Sequence, residues 1–498
     1  MKTPRDIDFL VPEVVKQAVF SLKNGGFEAY IVGGCVRDML LGKKPKDWDL
    51  TTNATPEEIQ QIFPETFYEN KYGTVGVVNE TEEDETLKVI EVTPYRLESE
   101  YSDNRRPDSV TFSKNIADDL QRRDFTVNAI AIDIGDGIKG HIIDLYKGQE
   151  DLASKTIRTV GDAEERFKED GLRILRAVRL ATDLGFVIEA ETYKAIEKHK
   201  DLLKNIAKER IRDEFVKIIM SDNPLIGIVS CEKLGLLKYI CPELEVSIGV
   251  TQNQAHAYDV WEHLLRTVQH AADKKFGLEI RLAALFHDIG KPKTRRVSHE
   301  TGSQPTFYGH DVVGERITRK ILEDLKFSRE IIEKVAKFVR WHMFFSDPAL
   351  ISPSAVRRMV ANVGKDNIWD LMHIRECDRI GTGRPKENPY RLRKYKAMIE
   401  EVMHDPVSVG MLKIDGSRIM EVTHETPGPK IGFILHALLE EVMEDPKLNV
   451  PQYLEEKAQE LIKLNVSELK KLSDKGKEVK EKAEEEIVAE IRKKHKVD

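Results

Sequence analysis

Residues 30–52, YIVGGCVRDMLLGKKPKDWDLTT, decide the fold of the N-terminal part of the chain. They combine a β-branched strand, the glycine pair Gly33 and Gly34, an apolar helix, a lysine-rich loop and the acidic pair Asp47 and Asp49. Adjacent glycines let backbone amides approach a ligand closely, and the N-terminus of the following helix carries partial positive charge. This order predicts a phosphate cradle.

Three carboxylates predict a metal site next to that cradle. Asp47 and Asp49 stand two apart at the start of a predicted strand, so both side chains project from one face. Glu91 is central in the apolar strand 88–93, where an acid is costly without a partner. Converging acids repel unless a cation lies between them, and their hard oxygens suit Mg²⁺. The alternative is an acidic pair on a solvated loop.

Length and composition bound the remaining possibilities. At roughly 100–200 residues per domain, 498 residues form several domains. A net charge of -8 excludes a uniformly basic nucleic-acid coat and leaves room for a local basic face. Four cysteines without CxxC spacing, a charged N-terminus and the lack of a long apolar run predict a soluble cytoplasmic protein without membrane contact.

Patterning divides the chain into an α/β part and a helical part. Residues 27–160 hold short β-branched runs at 29–32, 74–78, 87–93 and 127–134, which predict strands. From about residue 160, apolar residues recur at helical spacing, so the rest of the chain is predicted to be essentially helical. The segment from 468 is rich in Lys and Glu and predicts a solvated terminal helix.

Five ordered segments carry a resemblance to a known family. Segments 33–52, 122–129 (RRDFTVNA), 144–158, 169–173 (EDGLR) and 209–212 (ERIR) resemble the class II nucleotidyltransferases of the polymerase-β superfamily. These comprise the CCA-adding tRNA nucleotidyltransferases and the bacterial poly(A) polymerases. The resemblance implies catalysis by two magnesium ions, in which Asp47 and Asp49 hold both ions and Glu91 holds one.

Basic and polar side chains of these segments form the predicted nucleotide site. Arg122 and Arg123 are fixed cations suited to triphosphate oxygens, whereas Asp124 and Asn128, four apart on one helical face, suit ribose and a base edge. A helix turn with a surface ion pair is the alternative. The full predicted set consists of Gly33, Gly34, Arg37, Arg122, Arg123, Asp124, Asn128, Asp170, Arg173, Arg176 and Arg179.

Asp170 and Arg173 are the predicted base-reading pair. Three residues apart on a helix, they are expected to be neighbours that together match the Watson–Crick edge of cytosine or adenine. A simple salt bridge between them is the alternative. The resemblance implies selection of CTP or ATP without a nucleic-acid template. The charged segment 95–107 resembles the flexible loop that enzymes of this family use when switching to ATP.

A second set of residues resembles the HD phosphohydrolase superfamily. Its members are His263, His287, Asp288, His310, His342 and Asp378. Imidazoles and carboxylates converging from separate helices suit a divalent transition metal. We expect a metal-bound phosphohydrolase site; the alternative is an inherited fold that only supports tRNA.

These observations predict a multidomain α+β protein. We expect a polymerase-β-like nucleotidyltransferase head at 1–158, an all-α neck at 159–245, an HD domain at 246–395 and a helical, tRNA-contacting tail at 396–498. The leading hypothesis is addition of CCA to the 3′ end of tRNA from CTP and ATP. A poly(A) polymerase, an A-adding enzyme and a mainly HD-type phosphohydrolase are the alternatives, and monomer and homodimer are both open.

Overall fold

A computed structural model describes residues 11–68, 73–79, 84–99, 109–134, 141–252, 257–297, 304–344 and 351–473. The chain divides into two units, of which the first comprises residues 1–242 with 324–326 and the second comprises 243–323 with 327–498. The predicted division into four domains stays a prediction. Much of the predicted ATP-switching loop, with Arg105 and Arg106, and the terminal segment 474–498 lie outside the described residues.

A seven-stranded sheet forms the centre of the first unit, in the order β3-β4-β5-β2-β1-β8-β9. Among the described strands of this sheet, β2 and β5 pair in parallel and the other neighbours are antiparallel. The strands of the unit are β1 (Ala29–Val32), β2 (Asp49–Thr52), β3 (Thr66–Tyr68), β4 (Val75–Val78), β5 (Val89–Pro94), β6 (Arg96–Ser99), β7 (Ser109–Phe112), β8 (Ala131–Asp133), β9 (His141–Ile143), β10 (Thr156–Ile157) and β11 (Val187–Ile188).

The sequence predicted the strands of this sheet unevenly. The runs at 29–32, 74–78 and 87–93 correspond closely to β1, β4 and β5, which confirms those strands. The predicted strand at 127–134 is wrong in its first half, because Thr126–Asn128 forms a 3₁₀ turn and the strand starts only at Ala131. Asn128 makes side-chain hydrogen bonds in that turn, and a pattern of β-branched residues does not reveal such contacts.

Helices cover the sheet and then form the rest of the first unit. They are α1 (Glu13–Asn24), α2 (Gly34–Leu40), α3 (Pro56–Ile62), α4 (Ile116–Gln121), α5 (Gly148–Ser154), α6 (Ala163–Glu169), α7 (Arg173–Leu184), α8 (Ala190–His199), α9 (Lys208–Met220), α10 (Pro224–Lys233) and α11 (Leu237–Ile240). Helix α7 buries its apolar stripe, including Ile174, Leu175 and Val178, while Arg176 and Arg179 stay half-buried. This periodicity places a row of arginines along one side of a buried helix.

In the described part of the second unit, all regular elements are helical apart from the short pair β12 (Arg296–Val297) and β13 (Pro305–Thr306). Its helices are α12, which starts at Pro242 (Pro242–Glu245), α13 (Val260–Asp273), α14 (Leu278–Phe286), α15 (Lys291–Thr294), α16 (His310–Asp324), α17 (Arg329–Trp341), α18 (Pro353–Val363), α19 (Ile368–Gly381), α20 (Tyr390–Val402), α21 (Gly416–Thr423), α22 (Pro429–Glu444), α23 (Pro451–Leu461) and α24 (Val466–Ser473). The predicted multidomain α+β class, with a helical C-terminal part, is confirmed.

The last helices of the second unit have an apolar core of their own. Buried residues of this core include Ile419, Ile434, Leu438 and Leu454. The core is connected to α18 by the buried Arg358, whose Nε donates to Glu440 at 2.9 Å. A buried guanidinium needs such a partner, so this pair fixes α22 against α18.

The described residues bear on two expectations from the sequence, namely free cysteines and no contact with a membrane. All four cysteines are free and buried. Among the helices that the structure describes, none is both long and apolar enough to cross a membrane.

The close approach of α13 and α19 generates a prediction. A Cβ on Gly381 would lie 2.1 Å from Thr267 Oγ1 and 3.1 Å from the carbonyl oxygen of His263. Gly381→Ala should therefore destabilise the second unit by about 1–3 kcal/mol, the usual cost of overpacking a tight contact. Differential scanning calorimetry of the full chain measures the shift.

Gly432 provides the matched control within the same unit. It lies inside α22, and a Cβ added there would meet no atom within 4 Å, so Gly432→Ala should be neutral or stabilise the helix by up to about 1 kcal/mol. Equal melting temperatures for wild type and Gly381→Ala would contradict the packing described here.

Candidate active sites

A cleft of about 940 Å³ in the first unit gathers the predicted residues. Its walls come from the sheet, from α7 and from α9. All predicted catalytic and nucleotide-binding residues of this unit line it: Gly33, Gly34, Arg37, Asp47, Asp49, Glu91, Arg122, Arg123, Asp124, Asn128, Asp170, Arg173, Arg176 and Arg179. Residues from 33 to 179 therefore share one solvent-accessible space.

Strand pairing brings the three carboxylates together. The parallel register of β2 and β5 sets Asp49 beside Glu91. The strand begins later than predicted, because β2 starts at Asp49, and Asp47 and the buried Trp48 (2% exposed) directly precede it. Both acids face the glycine pair, since a Cβ on Gly33 would lie 3.2 Å from Asp49 Oδ2 and one on Gly34 would lie 3.8 Å from Asp47 Oδ1.

The electrostatics of the cluster fit a cation. Burial, followed by the charges of Asp47 and Glu91, raises the pKa of Asp49 to about 7, although Arg123 and Arg37 oppose the rise. An acid whose ionisation is this unfavourable gains stability from a positive charge placed among the carboxylates. Three hard oxygen donors at one point are ligands suited to Mg²⁺.

Gly33 is required by geometry at the turn between β1 and α2. Its φ of +88° lies in the region that side chains avoid, and a Cβ there would meet Arg123 Nη1 at 3.0 Å. The glycine therefore leaves the space that Arg123 and Asp49 use at the floor of the cleft.

Asp124 and Asn128 meet as predicted, but in a different backbone. The two are linked by Asn128 Nδ2, which donates to Asp124 Oδ1 at 3.2 Å, and Arg37 Nη1 donates to Asn128 Oδ1 at 2.7 Å. The expected continuous helical face is wrong, because a single 3₁₀ turn, Thr126–Asn128, connects them. Arg176 Nε donates to Asp124 Oδ2 at 2.8 Å. Burial alone would raise the pKa of Asp124, but the charge of Arg176 outweighs burial and holds that pKa well below its usual range.

Asp170 and Arg173 are neighbours through the backbone, since Arg173 N donates to the carbonyl oxygen of Asp170 at 3.0 Å, but among the described contacts their side chains have separate partners. Asp170 has an extended backbone between α6 and α7, and its carboxylate pairs with Arg210, through Nη1 at 3.2 Å and Nη2 at 2.7 Å. Arg173 is the first residue of α7 and donates to Glu169 and to the carbonyl oxygen of Arg122, the latter at 3.0 Å. Both side chains line the cleft, each held by its own partner.

Two buried acids that were not predicted from the sequence hold the arginines. Asp119 accepts from both Arg122 and Arg123. Glu214 accepts from Arg179 Nε at 2.7 Å and lies 3.8 Å from Arg176. Asp119 precedes the two arginines by three and four residues, a helical spacing from which their contact could have been predicted. The pairing of Arg179 with Glu214 joins two helices and has no local signature in the sequence.

The second unit brings together the six predicted metal ligands, which we call the HD cluster. They come from α13 (His263), from the segment directly after α14 (His287 and Asp288), from the start of α16 (His310), from the end of α17 (His342) and from α19 (Asp378). All six are buried, and they form two groups of three whose donor atoms lie within 4.8 Å of one another. The groups are His263, His287, Asp378 and Asp288, His310, His342.

Asp288 belongs to the second group and also lies close to the two histidines of the first group. Its Oδ2 is 3.2 Å from His263 Nε2 and 3.3 Å from His287 Nε2. Its Oδ1 is 3.2 Å from His310 Nε2 and 3.5 Å from His342 Nε2. Each carboxylate oxygen therefore faces a different pair of imidazoles.

The imidazoles of the HD cluster are oriented as ligands. The Nδ1 atoms of His287, His310 and His342 lie 2.7 to 2.9 Å from backbone carbonyl oxygens, so their Nε2 atoms face the cluster. Within the described part of the chain, the buried Nε2 atoms of His310 and His342 make no hydrogen bond. Burial lowers the pKa of His287, but Asp288 and Asp378 outweigh this effect and raise it to about 10. Burial, by contrast, lowers the pKa of His342 to about 4, so this imidazole is neutral, the form in which histidine binds a metal ion.

Family comparisons match both units. The "Poly A polymerase head domain" matches residues 29–158, the "Probable RNA and SrmB- binding site of polymerase A" matches 185–248, and the "HD domain" matches 260–394. A CCA-adding enzyme of Lactobacillus helveticus is 48% identical over 199 residues, which are 40% of this chain and 47% of that protein. The chain thus spans about half the length of the curated relatives in such matches.

Two further comparisons cover nearly the whole chain. The crystal structure of the Bacillus stearothermophilus CCA-adding enzyme in complex with CTP has a TM-score of 0.65 and 27% identity, and covers 90% of this chain and 98% of that one. A CCA-adding enzyme of Lactiplantibacillus plantarum is 31% identical over 435 residues, which are 86% of this chain and 92% of that protein. Because this similarity extends over most of both proteins, the chain belongs to the family of CCA-adding enzymes.

Proposed function

We propose that this protein adds CMP, CMP and AMP to the 3′ end of tRNA, using CTP and ATP and releasing pyrophosphate. The observation that carries the proposal is the single cleft, where three carboxylates, the arginine set and the pair Asp170 and Arg173 share one space. The similarity to a CCA-adding enzyme in complex with CTP supports the choice of nucleotide.

Asp47, Asp49 and Glu91 would hold Mg²⁺ in this reaction. Bound there, the ion supplies charge stabilisation for the phosphoryl transfer, in which the tRNA 3′-hydroxyl attacks the α-phosphate and pyrophosphate leaves. Arg122 and Arg123 would bind the triphosphate, and Gly33 keeps the floor of the cleft open for it. Asp124, Asn128 and the neighbouring Arg37 and Arg176 form a polar network suited to the ribose.

Hydrogen-bond capacity supports base reading by Asp170 and Arg173. A carboxylate offers about four acceptor positions, and Asp170 uses three of them for Leu172 N and the two Arg210 donors. Arg173 has five N–H donors and, among the described residues, uses three of them on Arg166, Glu169 and Arg122. One acceptor and two donors remain, which suit the amino group and ring acceptors of cytosine or adenine.

Basic side chains at the cleft suit the acceptor end of tRNA. Lys43, Lys44 and Lys46 are exposed and line the cleft beside Asp47. Cations in such a position attract the phosphate backbone and confer salt-dependent affinity. Because the four cysteines are free thiols, which fit a reducing compartment, we propose that the protein works in the cytoplasm.

Nucleotide incorporation tests the main proposal. The full chain should extend tRNA lacking its 3′ end with labelled CTP and ATP and stop after CCA. Asp49→Asn should lower the rate by roughly a hundredfold or more, since a lost metal ligand removes several kcal/mol of charge stabilisation.

His287→Ala, at the HD cluster, is the control and should leave incorporation unchanged. Long oligo(A) products, or incorporation of AMP alone, would instead favour a poly(A) polymerase or an A-adding enzyme. Full activity of Asp49→Asn would remove the basis of the proposal.

Base selection provides a separate prediction. Asp170→Asn replaces an acceptor with an amide that can donate to uracil O4, so UMP incorporation relative to CMP should rise by about tenfold or more. Steady-state rates with CTP and UTP on the same tRNA give this ratio. Asp183→Asn, in the same cleft but outside the predicted reading pair, should keep the wild-type ratio. An unchanged ratio in Asp170→Asn with normal CMP addition would exclude base reading by Asp170.

We also propose a metal-dependent phosphohydrolase activity of the second unit. The specific observation is the HD cluster, in which buried Nε2 atoms of His310 and His342 lack a hydrogen bond within the described residues. The cluster would hold a divalent transition metal, which supplies a nucleophilic hydroxide for hydrolysis of phosphate esters. Lys291 Nζ, 2.5 Å from Asp288 Oδ2 and 2.6 Å from Gln252 Oε1, fixes the orientation of the carboxylate between the two ligand groups.

Hydrolysis of a 2′,3′-cyclic nucleotide by the full chain with Mn²⁺, Co²⁺ or Ni²⁺ tests this second activity. His287→Ala should lower metal content, measured by mass spectrometry, and reduce hydrolysis at least about tenfold, because even residues behind the ligands change metal affinity by that amount. Asp49→Asn, which changes only the first unit, should retain hydrolysis. Wild-type protein that binds none of these metals would show that the HD cluster only supports the fold.

A further inference from the structure

Asp119 is a fully buried acid next to the nucleotide cleft. It lies in α4, three and four residues before Arg122 and Arg123, and has no exposed surface. Its Oδ1 accepts from Arg122 Nε at 2.9 Å and also from Arg122 Nη2. Its Oδ2 accepts from Arg123 Nη2 at 3.1 Å and Nε at 3.3 Å. One carboxylate therefore binds two guanidinium groups, one on each oxygen.

The contacts fix which edge of each arginine is engaged. Both guanidinium groups present the Nε and Nη2 edge to Asp119, so their planes are set by the carboxylate. For Arg123 the remaining nitrogen, Nη1, is turned toward the floor of the cleft. It lies 3.4 Å from the carbonyl oxygen of Asn128 and 3.0 Å from the position that a Cβ on Gly33 would take.

Charge explains why this carboxylate matters. Two adjacent guanidinium groups repel each other, and an acid shared between them offsets that repulsion. Burial alone would raise the pKa of Asp119, but Arg122 and Arg123 outweigh burial and lower it below its ordinary value. Asp119 is thus ionised, and its charge is shared by the two arginines.

We infer that Asp119 is a positioning residue that holds Arg122 and Arg123 in the orientation that receives the nucleotide's triphosphate. The inference rests on the proposed function, because it takes a nucleoside triphosphate as the ligand of the cleft. Asp119 itself does not contact the nucleotide, since no part of it is exposed. Its effect acts through the two arginines, both of which line the cleft.

This role predicts a dependence on the phosphate chain of the ligand. CTP and CMP share base and ribose, so the ratio of their affinities isolates the contribution of the outer phosphates. Loss of Asp119 should weaken CTP binding and leave CMP binding nearly unchanged. A residue needed only for the fold would weaken both ligands alike.

The test compares Asp119→Asn with Asp118→Asn in the full chain. Asp118 is the adjacent acid of the same helix, and its side chain accepts from Ser113. The dissociation constants of CTP and CMP are measured by calorimetry with Mg²⁺ and without tRNA. In Asp119→Asn the preference for CTP over CMP should shrink by about tenfold, the size of one lost charge-assisted hydrogen bond, whereas Asp118→Asn should keep it.

Asp119→Glu keeps the experiment decisive if the asparagine variant fails to fold. It retains the charge but moves the carboxylate by one methylene, so the preference for CTP should fall to an intermediate value. In steady-state incorporation, either variant should raise the KM for CTP and leave the KM for tRNA unchanged. A wild-type preference for CTP in the variant that folds would overturn the inference.

Failure of the proposed function gives a different result. In that case the wild-type protein itself would incorporate no nucleotide and bind CTP no tighter than CMP. A double variant refines the assignment: in an Arg122→Gln, Arg123→Gln background, Asp119→Asn should cause no further loss of CTP preference. An additional loss there would mean that Asp119 acts by another route.

Discussion

The parallel pairing of β2 with β5 is the constraint on which the first unit depends. It fixes Asp49 beside Glu91 and, with Trp48 buried behind them, directs Asp47 to the same side. The resulting negative charge is large enough to raise the pKa of Asp49 to about 7 through burial and the two neighbouring acids. A site of this kind is stable only if cations surround it, and the cleft supplies Arg37 and Arg123 from two other segments.

What the sequence could predict follows from how local each feature is. Asp47, Trp48 and Asp49 are consecutive residues, so their local pattern predicts that the two acids face the same way, although only Asp49 lies in β2. Asp170 is different, because an extended backbone separates it from α7 and its partner Arg210 lies forty residues further on. Helical spacing correctly predicts that Asp170 and Arg173 are close, but it places Asp170 on a helix that begins only at Arg173 and does not reveal the partner of each side chain.

For the HD cluster, the sequence predicts which residues converge but not how they are arranged. Its six predicted ligands lie at helix ends or on buried helix faces, and their order along the chain was enough to predict that they converge. Their division into two groups depends on the orientation of one carboxylate, with Oδ1 and Oδ2 of Asp288 facing different imidazoles. That orientation is held by Lys291 and cannot be derived from spacing.

The net charge of the chain conceals how the cleft uses its acids. Every arginine of the predicted nucleotide site has a carboxylate partner. Arg122 and Arg123 share Asp119, Arg37 binds Asp38, Arg176 binds Asp124, Arg179 binds Glu214 and Arg173 binds Glu169. These pairs cancel much of the positive charge but fix the planes of the guanidinium groups. A planar guanidinium group recognises phosphate through its geometry as well as its charge. The carboxylate partners therefore orient the guanidinium groups of the cleft but reduce its positive potential. An acidic protein can therefore hold a polyanionic ligand in a defined position without a strongly basic surface.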